Sequence, residues 1–154
     1  MIQKQRLTPL GAIPKIKAYC SYQERSHFEV LQKLYSYCIY KSDAEEIIAM
    51  LISENYLNEE RYAGQYAGGK FRIKNWGRVK ITQELKAKNI SSYNIKTALK
   101  AINEEDYIKN LEKVAKIKWE TLKKEPIRIK EAKIIRYLLQ KGYEFELIEQ
   151  VLAN

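Results

Sequence analysis

One helix pair, repeated three times, most constrains how this chain can fold. Leu34, Leu85 and Leu138 each lie near the end of a stretch in which apolar residues recur three or four positions apart, as on one face of a helix. These leucines are 51 and 53 residues apart. A turn follows each stretch, and a second apolar stripe follows the turn. The turns fall at Cys38-Ile39, Asn89-Ile90 and Gly142-Tyr143.

This periodicity predicts a stacked array. A period of about 50 residues with one supersecondary unit per period is typical of chains in which each unit buries its apolar face against the next. The alternative is an ordinary helical bundle whose amphipathic helices resemble one another, but the matching turn positions favour the array. A further helix precedes each pair, so the sequence predicts an all-α protein of three tandem three-helix repeats, with nine helices in total.

The repeat boundaries follow from local composition. Residues 1–14 contain two of the three prolines and no apolar stripe, so we expect a flexible N-terminal arm and a first helix from Lys15 to Arg25. Asn58 is a favourable N-cap, and an acidic helix start follows Asn103. The expected repeats are 15–57, 58–103 and 104–154.

Several short motifs predict local structure. Ser26 with Glu29, and Ser42 with Glu45, match the capping box that begins a helix. Gly68-Gly69 indicates either a bend in its helix or close approach of a neighbouring backbone. Arg61 falls where two repeats meet, so a bridging ion pair is favoured over a contact with a partner.

Composition indicates a basic protein of the cytosol. The chain has 154 residues, a net charge of +9 and a pI near 9.4, which favour contact with a polyanion such as nucleic acid. The alternative is a lysine-rich proteome with well-solvated helices. We find no apolar run of the ~20 residues that a membrane span needs and no secretory segment, so a cytoplasmic location is expected. Cys20 and Cys38 are expected to be buried free thiols.

Catalysis is not expected. The chain has one histidine, no glycine-rich phosphate loop and no nucleophile paired with a base. Its carboxylates fall mainly at helix starts, where capping and the helix dipole explain them. We therefore predict no catalytic residues, no metal ligands, no cofactor and no small-molecule substrate.

Four segments occur in an order and spacing typical of one family. They are Glu24-Arg25-Ser26 with Glu29 and Lys33-Leu34; Asn58-Glu59-Glu60-Arg61-Tyr62-Ala63; Gly77 to Ile81 with Glu84-Leu85, Lys88 and Ile90; and Lys133 to Tyr143. Together they resemble the RecX family of recombination regulators over about Lys15 to Asn154. Cys38 departs from the glycine usual in the family, and this predicts a different turn there.

The resemblance implies a fold and a function. The fold is an elongated, curved array of three-helix repeats. The function is that of a monomeric regulator that binds the RecA recombinase filament and its single- or double-stranded DNA. Such a protein inhibits filament growth and RecA activities in recombination, DNA repair and the SOS response.

Two basic surfaces are the candidate contacts for DNA or RecA. Trp76 and Tyr93 are aromatic residues that can stack on bases, although packing at a repeat junction is the favoured role of Trp76. A solvated helix face is the alternative for the second surface. The first surface comprises Lys70, Arg72, Lys74, Trp76, Arg78, Lys80, Lys86 and Lys88, and the second comprises Lys109, Lys113, Lys116 and Lys123.

Two other functions compete with this interpretation. The first is that of a general basic helical DNA-binding protein or a helix-turn-helix regulator that acts without RecA. Its Ser91–Ile102 helix, however, carries only Lys96 and Lys100 as bases, which equips it poorly for the major groove. The other alternative is a scaffold that binds only protein.

Overall fold

The chain is entirely helical in the part that the structure describes. The computed structural model describes residues 5–154, and within that range it contains nine α-helices and no strand. The all-α prediction is confirmed. In chain order the helices are α1 (Pro9–Tyr22), α2 (His27–Ser36), α3 (Lys41–Ser53), α4 (Glu59–Lys74), α5 (Arg78–Ala87), α6 (Ser92–Lys100), α7 (Glu104–Thr121), α8 (Ile127–Lys141) and α9 (Phe145–Ala153).

These helices form three tandem three-helix repeats. α1, α2 and α3 pack against one another, as do α4, α5 and α6, and then α7, α8 and α9; we call these groups repeats one, two and three. The accessible surface of the chain is 10268 Å². A compact protein of 18.2 kDa has roughly 8,100 Å². The excess surface is what an elongated array of repeats produces.

The same turn closes the second helix of every repeat. After α5, Asn89 adopts a left-handed backbone with a φ of 62°, and the Ile90 amide donates to the Leu85 carbonyl at 3.1 Å. This bond between residues five positions apart defines a Schellman motif. The equivalent bonds join Ile39 to Leu34 at 3.0 Å and Tyr143 to Leu138 at 3.1 Å.

Cys38 adopts this turn despite its side chain. Its φ is 64°, within a few degrees of that of Asn89, so the prediction of a different turn at Cys38 is wrong. A left-handed conformation costs a residue with a Cβ about 1–2 kcal/mol. Leu34 and Ile39 are buried on either side of the turn, and their burial outweighs that cost because a fully buried aliphatic side chain contributes about 1.5–3 kcal/mol.

The first helix begins earlier than predicted. α1 begins at Pro9 rather than Lys15, because the Thr8 hydroxyl accepts a hydrogen bond from the Gly11 amide at 3.0 Å and proline suits the first turn of a helix. Residues 9–14 therefore belong to α1 and not to a flexible arm. The first four residues of that predicted arm lie outside the described part of the chain.

One of the two predicted capping boxes supplies its serine cap. The Ser26 hydroxyl accepts a hydrogen bond from the Glu29 amide at 3.1 Å and begins α2. The second predicted box, Ser42 with Glu45, does not form. α3 already begins at Lys41 and has no side-chain cap, so Ser42 lies inside the first turn and cannot occupy the N-cap position.

The buried residues form two cores. The core of repeat one is separate, whereas the core of repeats two and three is continuous. Burial against the next repeat, as the periodicity predicts, therefore describes only repeats two and three. The first core contains Ile16, Val30, Leu34, Ile47 and Leu51, and the second contains Ala67, Phe71, Ile81, Leu85, Tyr107, Leu111, Ile134, Leu138 and Ile148 among others.

Polar side chains join repeat one to repeat two. Arg61, in the first turn of α4, pairs with the Glu24 carboxylate and donates to the side-chain and backbone oxygens of Asn55, both at 3.1 Å. The Tyr62 hydroxyl donates to Glu29 at 3.1 Å. The prediction that Arg61 bridges two repeats is confirmed.

Backbone groups join repeat two to repeat three. The Gly77 amide donates to the Lys141 carbonyl at 2.7 Å, and the Val79 amide donates to the Gly142 carbonyl at 2.9 Å. A Cβ on Gly77 would lie 2.3 Å from the Gly142 oxygen. Glycine therefore allows the two main chains to touch, and their hydrogen bonds fix the relative orientation of the two repeats.

The glycine pair inside α4 has no such neighbour. α4 runs without interruption from Glu59 to Lys74. A Cβ on Gly69 would meet nothing within 4 Å, and one on Gly68 would meet only the guanidinium of Arg72, on the same helix. Of the two explanations for this pair, close approach of a neighbouring backbone is excluded.

Replacement of Gly69 by alanine is expected to stabilise the protein. A helix-interior glycine costs about 1 kcal/mol relative to alanine, and the new methyl group has open space. Gly77→Ala is the matched opposite, because its methyl group would overlap the Gly142 carbonyl. Urea unfolding followed by far-UV circular dichroism should give a higher midpoint for Gly69→Ala and a lower one for Gly77→Ala. A lower midpoint for both would show that α4 requires glycine at position 69.

Arg61→Ala is expected to separate the unfolding of the two cores. The substitution leaves the largely buried Glu24 carboxylate unpaired, which costs about 1–3 kcal/mol at the junction. Both tryptophans, Trp76 and Trp119, lie beyond repeat one. Tryptophan fluorescence therefore reports on repeats two and three, while circular dichroism reports on all helices.

The two signals should follow one transition in the parent protein and two in Arg61→Ala. Arg61→Lys should behave like the alanine variant, because an ammonium cannot reproduce the fork of the guanidinium across Glu24 and Asn55. Coincident transitions in both variants would contradict a junction held by Arg61.

Candidate nucleic-acid interface

Three lysines of the first predicted surface surround two aromatic rings. Tyr66 and Lys70 stand four residues apart on α4, and Trp76 follows the left-handed Asn75 at the end of that helix. Lys80 lies on α5, and Lys88 caps the C-terminal end of α5. The Tyr66 and Trp76 rings meet edge to face, 6.4 Å between their centres. We call Tyr66, Lys70, Trp76, Lys80 and Lys88 the repeat-two cluster.

The lysine ammonium groups of the repeat-two cluster lie over these rings. Lys70 Nζ is 5.4 Å from the centre of the Tyr66 ring and 5.0 Å from that of Trp76. Lys80 Nζ is 4.6 Å from Trp76, and Lys88 Nζ is 5.6 Å from Tyr66. A cation within about 6 Å of a ring centre is attracted by the ring without losing its charge. The cluster therefore offers positive charge and aromatic surface together.

Three carboxylates lie close to the repeat-two cluster. Glu24 and Glu29 line a hollow with Tyr66, Lys70 and Lys88. Burial, and then the charge of Glu84, raise the pKa of the Tyr66 phenol above its ordinary value, so Tyr66 stays uncharged at neutral pH. Because Arg61 already pairs with Glu24, the three lysines of the cluster outnumber the two remaining carboxylates.

Other members of the first surface lie away from the cluster. Arg72 is exposed and lines a hollow of about 350 Å³ with Lys109 and Lys113 of the second surface. Lys74 and Lys86 are exposed near the ends of α4 and α5. Tyr93, which sequence reasoning added as an aromatic, lies on α6 and is 75% exposed.

Arg78 lies at the junction of repeats two and three. Its guanidinium pairs with Glu104 and, at 3.2 Å, with Glu144, and its central carbon lies 3.8 Å from the centre of the Tyr107 ring. The Tyr107 hydroxyl accepts from the Arg78 amide at 3.0 Å and donates to Glu144. Two carboxylates already balance this guanidinium, so Arg78 helps to hold repeats two and three together.

Buried tyrosines complete that junction. The Tyr143 hydroxyl donates to the Asn75 carbonyl at 2.9 Å and accepts from the Asn110 side chain at 2.9 Å. Burial raises the pKa of Tyr143 to about 12, and burial likewise raises the pKa of Tyr107. Both phenols therefore remain hydrogen-bond donors over the whole physiological pH range.

The second predicted surface is spread along α7. Lys109 and Lys113 share the hollow with Arg72, where Asp106 offsets part of their charge. Lys116 lines a different hollow with Trp119 and Leu152, and Lys123 is exposed beyond the end of α7. The structure thus divides these four lysines between separate locations.

Sequence reasoning missed Tyr66 as a surface aromatic. Tyr62, Ala63 and Tyr66 recur at helical spacing on α4, which predicts burial of Tyr66, yet it is partly exposed beside Lys70. The available signal was the spacing, because residues four apart on a helix are neighbours. A tyrosine followed four positions later by a lysine predicts a cation over a ring.

The described residues contain neither a metal-type cluster nor a long apolar helix. No group of three or more histidine, cysteine, aspartate or glutamate side chains within residues 5–154 could hold a metal ion. Over the same range, no helix is both long and apolar enough to cross a bilayer.

Fold and surface together define a class: basic helical-repeat proteins whose exposed chemistry suits a polyanion. Two family models match the chain, "RecX, second three-helix domain" over residues 58–99 and "RecX, third three-helix domain" over residues 104–152. The chain belongs to the RecX family.

Individual relatives agree with this assignment. Regulatory protein RecX of Leuconostoc mesenteroides is 32% identical over 80% of this chain and 46% of the relative. Regulatory protein RecX of Staphylococcus haemolyticus is 30% identical over 99% of this chain and 57% of the relative. The chain spans about half the length of the curated relatives it matches.

A solved structure shows the same architecture. The crystal structure of RecX from Lactobacillus salivarius superposes with a TM-score of 0.86 at 26% identity and covers 94% of both chains. A second crystal structure, of a regulatory protein RecX, gives the same TM-score at 23% identity, covers 95% of this chain and 73% of that one, and supports the fold alone. The three-helix-repeat fold predicted from sequence is thereby confirmed.

Arg78→Ala is expected to destabilise the protein because Arg78 stabilises the junction of repeats two and three. The substitution leaves Glu144 beside the buried Tyr107 without its cation, and a charged group that loses its partner costs about 1–3 kcal/mol. Lys86→Ala, at the exposed end of α5, should change the free energy of unfolding by no more than about 0.5 kcal/mol. Thermal denaturation measures both, and equal melting temperatures for the two variants would remove Arg78 from the junction.

Proposed function

We propose that this chain is a non-enzymatic regulator that binds the RecA recombinase filament and its DNA. In this role it inhibits filament growth and the RecA activities in recombination, DNA repair and the SOS response. Family membership supports the partner. The observation that carries the proposal is the repeat-two cluster, where Lys70, Lys80 and Lys88 hold positive charge over the Tyr66 and Trp76 rings.

The geometry of the repeat-two cluster suits a nucleic-acid strand inside a protein filament. Lysine ammonium groups neutralise phosphates, and aromatic rings stack on bases. An elongated array has few long-range contacts, so it can follow the groove of a helical filament. In this proposal the protein acts as a monomer in the cytoplasm, uses no cofactor or metal, and makes no membrane contact.

A second candidate function is DNA binding without RecA. In a helix-turn-helix protein of this kind, α6 would be the helix that enters the major groove. α6 ends at Lys100 and carries Lys96. The two functions therefore place the decisive lysines on different helices.

Neutralisation of the repeat-two cluster tests the proposal. The triple variant Lys70→Gln, Lys80→Gln and Lys88→Gln removes up to three phosphate contacts, so the slope of log affinity against log salt should fall by about 2–3. DNA binding is measured by fluorescence anisotropy. RecA inhibition is measured as loss of RecA ATPase and strand exchange. The variant should bind DNA at least about tenfold more weakly and inhibit RecA less.

The matched control is Lys96→Gln with Lys100→Gln, which changes the charge of α6 alone. Full DNA binding and RecA inhibition are expected for this control. A sequence-specific footprint that disappears in the control, together with no effect of the parent protein on RecA, would support the helix-turn-helix function and contradict our proposal.

A further inference from the structure

The repeat-two cluster has a counterpart in repeat one. Arg25 lies with its guanidinium carbon 3.7 Å from the centre of the Tyr19 ring and 5.9 Å from that of Tyr22. Lys33 Nζ lies 5.3 Å from Tyr19 and 5.6 Å from Tyr37. We call Tyr19, Tyr22, Arg25, Lys33 and Tyr37 the repeat-one cluster. It lies between the end of α1 and α2, as the repeat-two cluster lies between the end of α4 and α5.

The two clusters occupy equivalent positions. Leu34 and Leu85, which close the same turn, are 51 residues apart. The same offset relates Tyr19 to Lys70 and Arg25 to Trp76. In repeat one the ring of Tyr19 precedes the cation of Arg25, whereas in repeat two the cation of Lys70 precedes the ring of Trp76. The cation lies 3.7 Å from the ring centre in the first pair and 5.0 Å in the second.

Repeat three also sets a cation of its first helix over a ring of its second helix. Lys118, near the end of α7, has its Nζ 4.6 Å from the centre of the Tyr137 ring on α8. Lys141 Nζ lies 5.9 Å from the same ring. We call Lys118, Tyr137 and Lys141 the repeat-three cluster. Each repeat thus sets cations over rings between its first and second helices.

One hollow lies beside both the repeat-one and the repeat-two cluster. This hollow, of about 390 Å³, is lined by Gln23, Glu24 and Glu29 of repeat one and by Tyr62, Gln65, Tyr66, Lys70 and Lys88 of repeat two. Gln23 and Glu24 lie between Tyr22 and Arg25 in the chain, so the hollow connects the end of the repeat-one cluster with the repeat-two cluster.

Repeats two and three meet beside Trp76. The Lys141 ammonium donates to the Lys74 carbonyl at 3.0 Å. The Tyr143 hydroxyl donates to the Asn75 carbonyl at 2.9 Å. Both accepting carbonyls immediately precede Trp76 in the chain, so the repeat-three cluster continues directly from the repeat-two cluster.

Two of the three carboxylates named beside the three clusters already have partners within the protein. Glu24 pairs with Arg61, and Glu29 accepts a hydrogen bond from Tyr62. Glu84 lies near Tyr66. The cations of the three clusters that face rings are Arg25, Lys33, Lys70, Lys80, Lys88, Lys118 and Lys141. Positive charge therefore exceeds negative charge along the whole path.

We propose that the three clusters form one continuous strip that binds single-stranded nucleic acid across all three repeats. This inference rests on the proposed function and deepens it, because it names the form of the ligand and extends the site beyond repeat two. Unpaired bases expose faces that stack on aromatic side chains, whereas bases in a duplex are already stacked. Each repeat contributes one cluster of cations, and a row of such clusters suits a linear polyanion.

Tyr22 is the most informative position for a test of this strip. Its side chain is 83% exposed, so Tyr22→Ala should not disturb the fold, and it lies in repeat one, outside the surfaces proposed above. Tyr40→Ala, another exposed tyrosine of repeat one, is the matched control for the ring. Lys33→Gln and Lys118→Gln test the charges of repeats one and three, and Lys96→Gln on α6 is their control.

The measurement is fluorescence anisotropy with labelled oligodeoxythymidylate strands of increasing length, and with a duplex for comparison, over a series of salt concentrations. Tyr22→Ala should weaken single-strand binding about fivefold or more and leave duplex binding nearly unchanged. Lys33→Gln and Lys118→Gln should each lower the salt slope by about 0.7. The two controls should match the parent protein, and circular dichroism checks that every variant folds.

Other results overturn the strip in distinguishable ways. Weaker binding only for repeat-two variants would confine the site to that repeat and leave the proposed function intact. Equal binding of single strand and duplex, with no effect of Tyr22→Ala, would show that the protein binds the phosphate backbone of either form and would overturn recognition of unpaired bases. Unchanged DNA binding with reduced RecA inhibition by Lys33→Gln and Lys118→Gln would assign the clusters to a protein surface. Failure of the parent protein to inhibit RecA, with single-strand binding retained, would overturn the proposed function alone.

Discussion

The whole architecture depends on one short hydrogen bond pattern at the end of the second helix of each repeat. The buried leucine there accepts a bond from an amide five residues later, across a left-handed residue, and the donor residue is itself buried. This turn sets the angle between the second and third helices. Because it is the same three times, α2, α5 and α8 hold equivalent places in their repeats.

The conservation of this turn explains why Cys38 fits where glycine and asparagine occur in the other repeats. Apolar burial on both sides of the turn fixes the backbone, and the left-handed residue contributes little besides avoiding a clash. Its cost of about 1–2 kcal/mol is smaller than the stabilisation from two buried aliphatic side chains. A prediction from the turn residue alone therefore fails, whereas one from the flanking apolar residues succeeds.

This contrast between turn residues and buried apolar residues explains which parts of the fold can be predicted from the sequence. Apolar stripes predict the helix count, the repeats and the turn positions, because burial decides them. The start of α1 escapes prediction because a single Thr8 cap and a proline decide it. The pairing of Arg78 with Glu104 and Glu144 joins residues 26 and 66 positions apart, which no local pattern reveals. For the same reason the sequence groups Arg78 with its basic neighbours, although the fold assigns it to a junction.

The surroundings of a basic residue also determine how much side-chain entropy it would lose on binding an anion. The lysines of the second surface are long, exposed chains, and ordering each one against a ligand costs side-chain entropy. In the three clusters the rings already restrict the cations, so less entropy is lost when an anion binds. The backbone bonds at Gly77 hold the clusters of repeats two and three in fixed relation. At the junction with repeat one, side chains such as Arg61 connect two separate cores, so in the strip that we propose the first cluster is joined to the other two by side-chain contacts.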